Sequence, residues 1–415
     1  MTRHARAPAF TRLLHGVFGS ALVLASSAGL AGAAPLPASV EVTRPDEPIL
    51  VRPDGAAPRR GAASKGARLP VFALSFGPRC GSPWYAVGPL AWICGDGAEP
   101  SPLPPGAPPE VTRGDGLPYA YHFVGKDGSF GYRTLETAED GEPDVQLQPG
   151  FGIAIARVSP KPGGADPFGL TTHRLWVPLR DLGAAIHPPG PLAASFEDGS
   201  VVWVNVPHAT LYGAAGGRAK SGAGAEALQR FQVLERKDVR HETWLRVDTE
   251  AWLRARDTTG PVLRPRPAET LPDERWLDVD LARQVLVAYR GDHAVFALPV
   301  STGRGATGTE LATPPGLHRV WIKLKTSDMD NLENLEAERN YVIQAVPWVM
   351  YFDHGYGLHG AFWHRAFGRV QSHGCINLTP SDAERLFEWS SPRLPVGWSA
   401  VLPTDHELGT LVRVE

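Results

Sequence analysis

The chain is poor in cysteine and in net charge. Of 415 residues only three are cysteine, Cys80, Cys94 and Cys375, and the net charge is −3. So small a charge gives no basis for a nucleic-acid partner, and none is expected. The odd cysteine count excludes a fully paired disulfide framework within one chain. No paired arginines open the sequence, and no cysteine follows the apolar N-terminal run. Twin-arginine export and a lipoprotein anchor are therefore not expected. Glycine and proline are plentiful, 45 and 40 residues, without a collagen-like period. They fit short strands joined by many turns, with linkers between domains, and the length suggests two to four domains.

What is present begins with an export pattern. Arg3, His4, Arg6 and Arg12 precede a run of apolar and small residues from Gly16 to Ala33, which ends in Ala31-Gly32-Ala33. Basic start, apolar stretch and Ala-x-Ala site predict a cleaved signal over residues 1–34 and a periplasmic or envelope location. The alternative is a retained anchor, for which the Ala, Gly and Ser content is weakly apolar. In an oxidising compartment Cys80 and Cys94 are expected to pair. They would close a loop of about 15 residues, worth about 3 kcal/mol in the entropic account. Two buried free thiols remain the other reading. Cys375 is left without a partner, a candidate reactive thiol.

Between signal and C-terminus the chain divides by composition. Residues 35–70, rich in Pro, Ala, Gly and Arg, read as a disordered linker. Residues 71–110 read as a small β segment pinned by Cys80 and Cys94, followed by a Pro-rich connector. It resembles a fragment of a bacterial SH3-like module; a plain hairpin fits equally. Residues 111–196 read as a β-rich domain without assignable chemistry. Its histidines, His122 and His173, read as ordinary rather than as ligands. Residues 197–262 read as an SH3-like β module with a mobile loop from Gly213 to Gly224. There Trp203, Tyr212, Trp244 and Trp252 either bind glycan or peptide or fill a small core. Residues 263–274 read as a linker, 275–403 as a β-rich catalytic domain and 404–415 as a tail. Within 275–403, short strands are expected at 276–281, 285–289, 294–300, 316–324, 341–346 and 348–352. Lys325 to Asn340 reads as a polar lid. Its Asp328, Asp330 and Glu333 fail the EF-hand template, because Leu332 stands where an oxygen ligand is needed.

The chemistry concentrates between His359 and Asn377. A thiol of pKa about 8.5 is only slightly ionised at neutral pH, and a neighbouring imidazole can take its proton. His359-Gly360, then Ser372-His373-Gly374-Cys375-Ile376-Asn377, supplies both groups. The N–H groups of His373, Gly374 and Cys375 are expected to form an oxyanion hole; one such donor is worth about 3 kcal/mol. Thr379-Pro380-Ser381-Asp382 marks a helix start: a cap, proline at the first position and an acid. Ala383, Leu386, Phe387 and Trp389 give that helix an apolar stripe, ending before Pro392.

These motifs resemble the signature of L,D-transpeptidases with a YkuD-type catalytic domain. Ser301-Thr302-Gly303 and Thr313-Pro314-Pro315-Gly316 are similar pieces upstream. The resemblance implies a mainly β, multi-domain protein ending in a β-sandwich with a short helix after the cysteine. It implies Cys375 as nucleophile and His359 as general base. It also implies an oxyanion hole in the backbone at His373 and Gly374, and a site shaped by His373, Gly360, Ser372 and Asn377. The Gly360 carbonyl is placed to hold the His359 ring. The expected activity is acyl transfer on peptidoglycan stem peptides through a thioester, without metal or cofactor, by a monomer. The β modules are candidates for other wall contacts. Hydrolysis through the same thioester, as an L,D-carboxypeptidase or cross-link hydrolase, is the alternative, with a non-catalytic wall-binding protein as the third reading.

Two rival site readings are weaker. His354, His359, His364, His373 and Cys375 offer zinc ligands, but their spacing matches neither a helical His pair nor a Cys-x-x-Cys knuckle. His354 and His364 are expected to line or support the site. A wall hydrolase of the NlpC/P60 type places its cysteine before its histidine; here only His406 follows Cys375.

Overall fold

A computed structural model describes residues 35–108, 115–159, 167–186, 189–195, 200–332 and 340–415. The export signal at 1–34, the histidine at 187 and the acid at 333 lie outside these. The chain is mainly β. Among the described residues there are two α-helices, Leu135–Asp140 and Pro380–Trp389.

Residues 35–70 are strands, not a linker: Ser39–Val42, Glu47–Leu50, Arg59–Ala63 and Arg68–Pro70. The average composition is polar and turn-rich, but the few apolar residues recur at strand spacing. Val40, Val42, Ile49 and Leu69 join Tyr85, Ile93, Trp398 and Val401 in one buried core. Burial of each such side chain is worth about 1.5–3 kcal/mol, enough to order a turn-rich segment. The expected boundary at 70 also disappears. Ser39–Val42 pairs with Ala98–Ser101, and Glu47–Leu50 with the strand Ala91–Cys94. Cys80 and Cys94 are joined by a disulfide.

This N-terminal module is part of the C-terminal half. Arg59–Ala63 pairs with Trp398–Val401, and that strand pairs with Ile322–Asp330. A Cβ at Gly61 would stand 2.3 Å from the Ala400 carbonyl oxygen, so the close pairing needs glycine there. The strands of 115–186 attach on the other side of the same sheet, where Gly152 pairs in parallel with Ile343. Tyr121 stacks on Phe362 with ring centroids 3.9 Å apart and donates its hydroxyl to the Ala345 carbonyl.

In the 200–262 region Val201–Val204 lies at the centre of a three-stranded sheet, beside a five-stranded one. The Gly-rich stretch expected to be a mobile loop contains the strand Ala219–Glu226, paired with His208–Tyr212. Trp203, Trp244 and Trp252 are buried, which fits the core-filling reading, while Tyr212 is half-buried with its ring edge-on to Trp244 at 4.8 Å. Residues 263–274 lack strands or helices but are tied down: Arg264 reaches Asp278, Asp280 and Glu415, and Arg266 reaches Asp292.

The site is carried by two packed layers. One sheet runs Ala194–Ser195, His293–Pro299, Val285–Arg290, Arg275–Asp280, Leu411–Val414, Gly316–Arg319. The expected tail thus contains a central strand, parallel to Arg275–Asp280, because Leu411, Val412 and Val414 are all buried. The other layer contains Ile322–Asp330, Val342–Asp353, Tyr356–Gly360 and Ile376–Leu378. Leu277, Val279, Leu286 and Phe296 face Met350, Phe352, Leu358, Ile376, Leu386 and Phe387 in the shared core. Two expectations are corrected here. Lys325 to Asp330 continues a strand rather than beginning a lid. The two strands foreseen at 341–352 are one, Val342–Asp353, with positive φ at Ala345 and Trp348 on either side of Val346 and Pro347. Lys323 is fully buried and donates from Nζ to the carbonyls of Phe387 and Ser390, closing the C-terminal end of the helix Pro380–Trp389.

Candidate active site

Two short parallel strands bring the sequence motifs together. Tyr356–Gly360 pairs with Ile376–Leu378 so that His359 stands opposite Asn377, with Leu358 opposite Ile376. Cys375 is the residue before the second strand. A pairing that needs only three residues on each side thus joins His359-Gly360 to the Ser372–Asn377 segment. The helix Pro380–Trp389 follows at once. Thr379 caps it by accepting the Asp382 N–H, with Pro380 at the first position, as the sequence predicts. Asp382 does more than its place in the sequence suggests: its carboxylate also accepts the N–H groups of Leu192 and Ala193.

His359 is 2 % exposed. Its Nδ1 lies 3.2 Å from the Gly360 carbonyl oxygen. An acceptor there fixes the proton on Nδ1 and leaves the Nε2 lone pair free. Burial pulls its pKa down to about 4, with the Gly360 hydrogen bond opposing and nearby His364 adding to the fall. The imidazole is therefore neutral and able to accept a proton at neutral pH.

Cys375 is partly exposed, and its Sγ lies 3.9 Å from the Gly355 carbonyl oxygen. Burial pushes its thiol pKa up, with the Gly357 backbone pulling the other way. Resting thiol and imidazole are thus both neutral. Tyr341, Tyr351 and Tyr356 stand close enough to feel a charge on the sulfur. Their phenol pKa values are raised first by burial, with Cys375 a further contributor. Nothing in the sequence pattern marks these three tyrosines as neighbours of Cys375.

The turn carrying Cys375 is held by hydroxyls. Ser372 Oγ donates to the Cys375 carbonyl and accepts the Gly374 N–H at 3.1 Å. Thr313 Oγ1 donates to the Gly374 carbonyl at 2.7 Å and accepts the Gly303 N–H at 2.8 Å. Ser301 and Asn377 exchange backbone hydrogen bonds of 3.0 and 2.8 Å. The Ser301–Gly303 and Thr313 pieces therefore build the cradle, a role their sequence alone does not reveal. Gly374 has φ +121°, and a Cβ there would stand 2.3 Å from the Tyr356 ring, so no other residue fits. One expectation changes. The Gly374 N–H is engaged with the Ser372 hydroxyl, so of the three expected oxyanion donors it is the one already bonded within the turn.

The remaining histidines separate. His364 is buried, and its pKa is lowered to about 4 by burial. Its Nδ1 accepts the Ala366 N–H, and its Nε2 is 2.9 Å from the Asn377 amide, so it supports the site from behind. His354 is exposed on a turn at φ 41° and pairs with Asp353 at 2.7 Å, next to Gly355, whose carbonyl oxygen faces the Cys375 sulfur. Among the described residues one group of possible metal ligands converges, Cys80, Cys94 and Asp96, and its two sulfurs are the disulfide. A cleft of about 920 Å³ at the junction of the modules, lined by Lys65, His173, Asp328 and Trp348, contains neither Cys375 nor His359.

Comparison with known proteins agrees with the motifs. Residues 274–414 match the family model of the YkuD L,D-transpeptidase catalytic domain. No curated protein matches the sequence. Among solved structures, a mutant L,D-transpeptidase from Enterococcus faecium is similar at 24 % identity. That match covers 34 % of this chain and 50 % of that one, with a TM-score of 0.26. An L,D-transpeptidase from Stackebrandtia nassauensis is similar at 24 % identity, over 37 % of this chain and 58 % of that one, with a TM-score of 0.24. L,D-transpeptidase 3 from Mycobacterium tuberculosis, in complex with a faropenem-derived adduct, is similar at 19 % identity. Coverage is 42 % of this chain and 67 % of that one, with a TM-score of 0.27. The chain spans about half the length of the first two. Residues 274–414 are thus an L,D-transpeptidase catalytic domain of the YkuD family.

Proposed function

We propose that the protein is an exported peptidoglycan L,D-transpeptidase with Cys375 as nucleophile and His359 as general base. The observation that carries this is the strand register that sets His359 opposite Asn377, two residues past Cys375. The thiol and imidazole are neutral at rest, so proton transfer accompanies attack. As the C–S bond forms to the third stem residue's carbonyl, the thiol proton passes to His359 Nε2. The N–H groups of His373 and Cys375 receive the carbonyl oxygen's developing charge, about 3 kcal/mol for each well-placed donor. The tetrahedral adduct then collapses. The C–N bond breaks, His359 returns the proton to the departing D-amino acid's nitrogen, and a thioester remains. An amine of a second stem attacks that thioester, gives its proton to His359 and displaces the sulfur. Water in place of the amine gives a carboxypeptidase.

The Cys80–Cys94 disulfide supports an oxidising, exported location. The test is mass spectrometry of purified muropeptides after incubation with the enzyme. New dimers linked third residue to third residue are the expected product. Trimmed tripeptides alone would assign the protein to hydrolysis.

A further inference from the structure

Arg304 follows the Ser301–Gly303 cradle and lies beside the Cys375 turn. Its backbone N–H donates to the Ser372 carbonyl at 3.0 Å. Its Nη2 donates to Nε2 of His373 at 2.9 Å. That contact needs an unprotonated Nε2. Burial, and then the Arg304 charge, hold the His373 pKa below its ordinary value, and the ring is stacked on Tyr341 with centroids 5.5 Å apart. Arg304 is exposed, and its guanidinium has five N–H donors, one of which serves His373, two residues before Cys375. No carboxylate forms an ion pair with it among the described residues. The nearest groups around Cys375 are phenols and hydroxyls; the carboxylates of Glu310, Asp330 and Asp353 act on the same phenols, without an ion pair to Arg304. A planar cation with four N–H donors left over beside a nucleophile turn is suited to a carboxylate, which it can take with two parallel hydrogen bonds.

We propose that Arg304 binds the terminal carboxylate of the donor stem peptide, one residue beyond the scissile carbonyl. This rests on the transpeptidase reading above and deepens it. Arg304 selects stems that end in a free D-amino acid over stems whose terminal carboxyl is already in an amide. It is a specificity determinant for the acyl donor, and the acceptor step does not need it.

The experiment measures acyl-enzyme formation by intact mass with two synthetic donors, a tetrapeptide stem with a free terminal carboxylate and the same stem amidated there. Wild type is expected to acylate about 10- to 100-fold faster, in kcat/KM, with the free acid. Arg304→Ala should lose that factor on the acid and change little on the amide, and Arg304→Lys should recover part of it. Equal losses on both peptides, or none on either, would overturn the assignment. If wild type forms an acyl-enzyme with neither peptide, the transpeptidase reading itself fails and the role of Arg304 fails with it. If wild type acylates equally with both, only the role of Arg304 fails.

Discussion

Cys80 and Cys94 sit in a hairpin module of the N-terminal half, bonded to each other with their Cα atoms 5.8 Å apart. Cys375 sits just before the strand Ile376–Leu378 in the C-terminal half, unpaired, with three phenols within electrostatic reach. Both segments are tight turns that need pinning. The first is pinned by its own sulfurs, which consumes their chemistry. The second is pinned by Ser372 and Thr313 hydroxyls, which keep the turn rigid and leave the thiol free. The contrast is between sulfur used as structure and sulfur kept in reserve by other groups doing the structural task.

The largest expected effect separates the two directly. Cys375→Ala should abolish acylation by a carbapenem while leaving the melting temperature near wild type. Cys80→Ala with Cys94→Ala should preserve acylation by the folded fraction and cost about 3 kcal/mol in denaturant unfolding. Acylation lost equally in both variants would break the comparison. Next, His359→Ala should slow acylation by about 10²- to 10⁴-fold with the circular-dichroism spectrum unchanged. Because burial lowers the His359 pKa to about 4, the acid limb of the wild-type rate profile should lie near pH 4, below an ordinary histidine's value. Smaller again is Thr313→Val. It removes the hydroxyl shared by the Gly374 carbonyl and the Gly303 N–H, and should cost about 1–3 kcal/mol of stability. A drop in acylation rate larger than the drop in folded fraction would show that the cradle sets the geometry of the turn.

The smallest effect concerns Lys323, which belongs to neither cysteine site and sits at the end of the helix Pro380–Trp389. Burial lowers its pKa to about 7. In the unfolded chain it is near 10.4, so between these values the unfolded state binds a proton that the folded state does not. Stability therefore rises with pH from about 7 to about 10 through this group, and the penalty is full below about 7. Lys323→Met should flatten the pH dependence of the melting temperature in that window. An unchanged slope would show that the ammonium is stabilised by its two carbonyl partners.

The site was more legible in the sequence than the fold around it. His359, Gly360, Ser372, His373, Gly374, Cys375 and Asn377 lie within 19 consecutive positions, and two parallel strands suffice to bring them together. The cap at Thr379 and the proline after it were readable because helix starts follow local rules. What escaped was non-local. Residues 35–70 look like a linker until Ile49 and Leu69 meet Trp398 and Val401, more than 300 residues away in the chain. Leu411–Val414 looks like a tail until it pairs with Arg275–Asp280. Tyr341, Tyr351 and Tyr356 carry no local mark of their position around Cys375, since the pairing of Val342–Asp353 with Tyr356–Gly360 brings them there. The engagement of the Gly374 N–H was not foreseen, for a local reason: the Ser372 hydroxyl two residues earlier takes it, as serine side chains commonly do in turns.

The most direct test is to incubate the protein with a tetrapeptide stem and map the covalent adduct by mass spectrometry of its proteolytic fragments. The predicted result is one adduct, equal to the donor less its terminal D-amino acid, on the fragment containing Cys375 and absent from Cys375→Ala. An adduct on any other residue, or turnover of the stem with Cys375 replaced, would contradict the central claim.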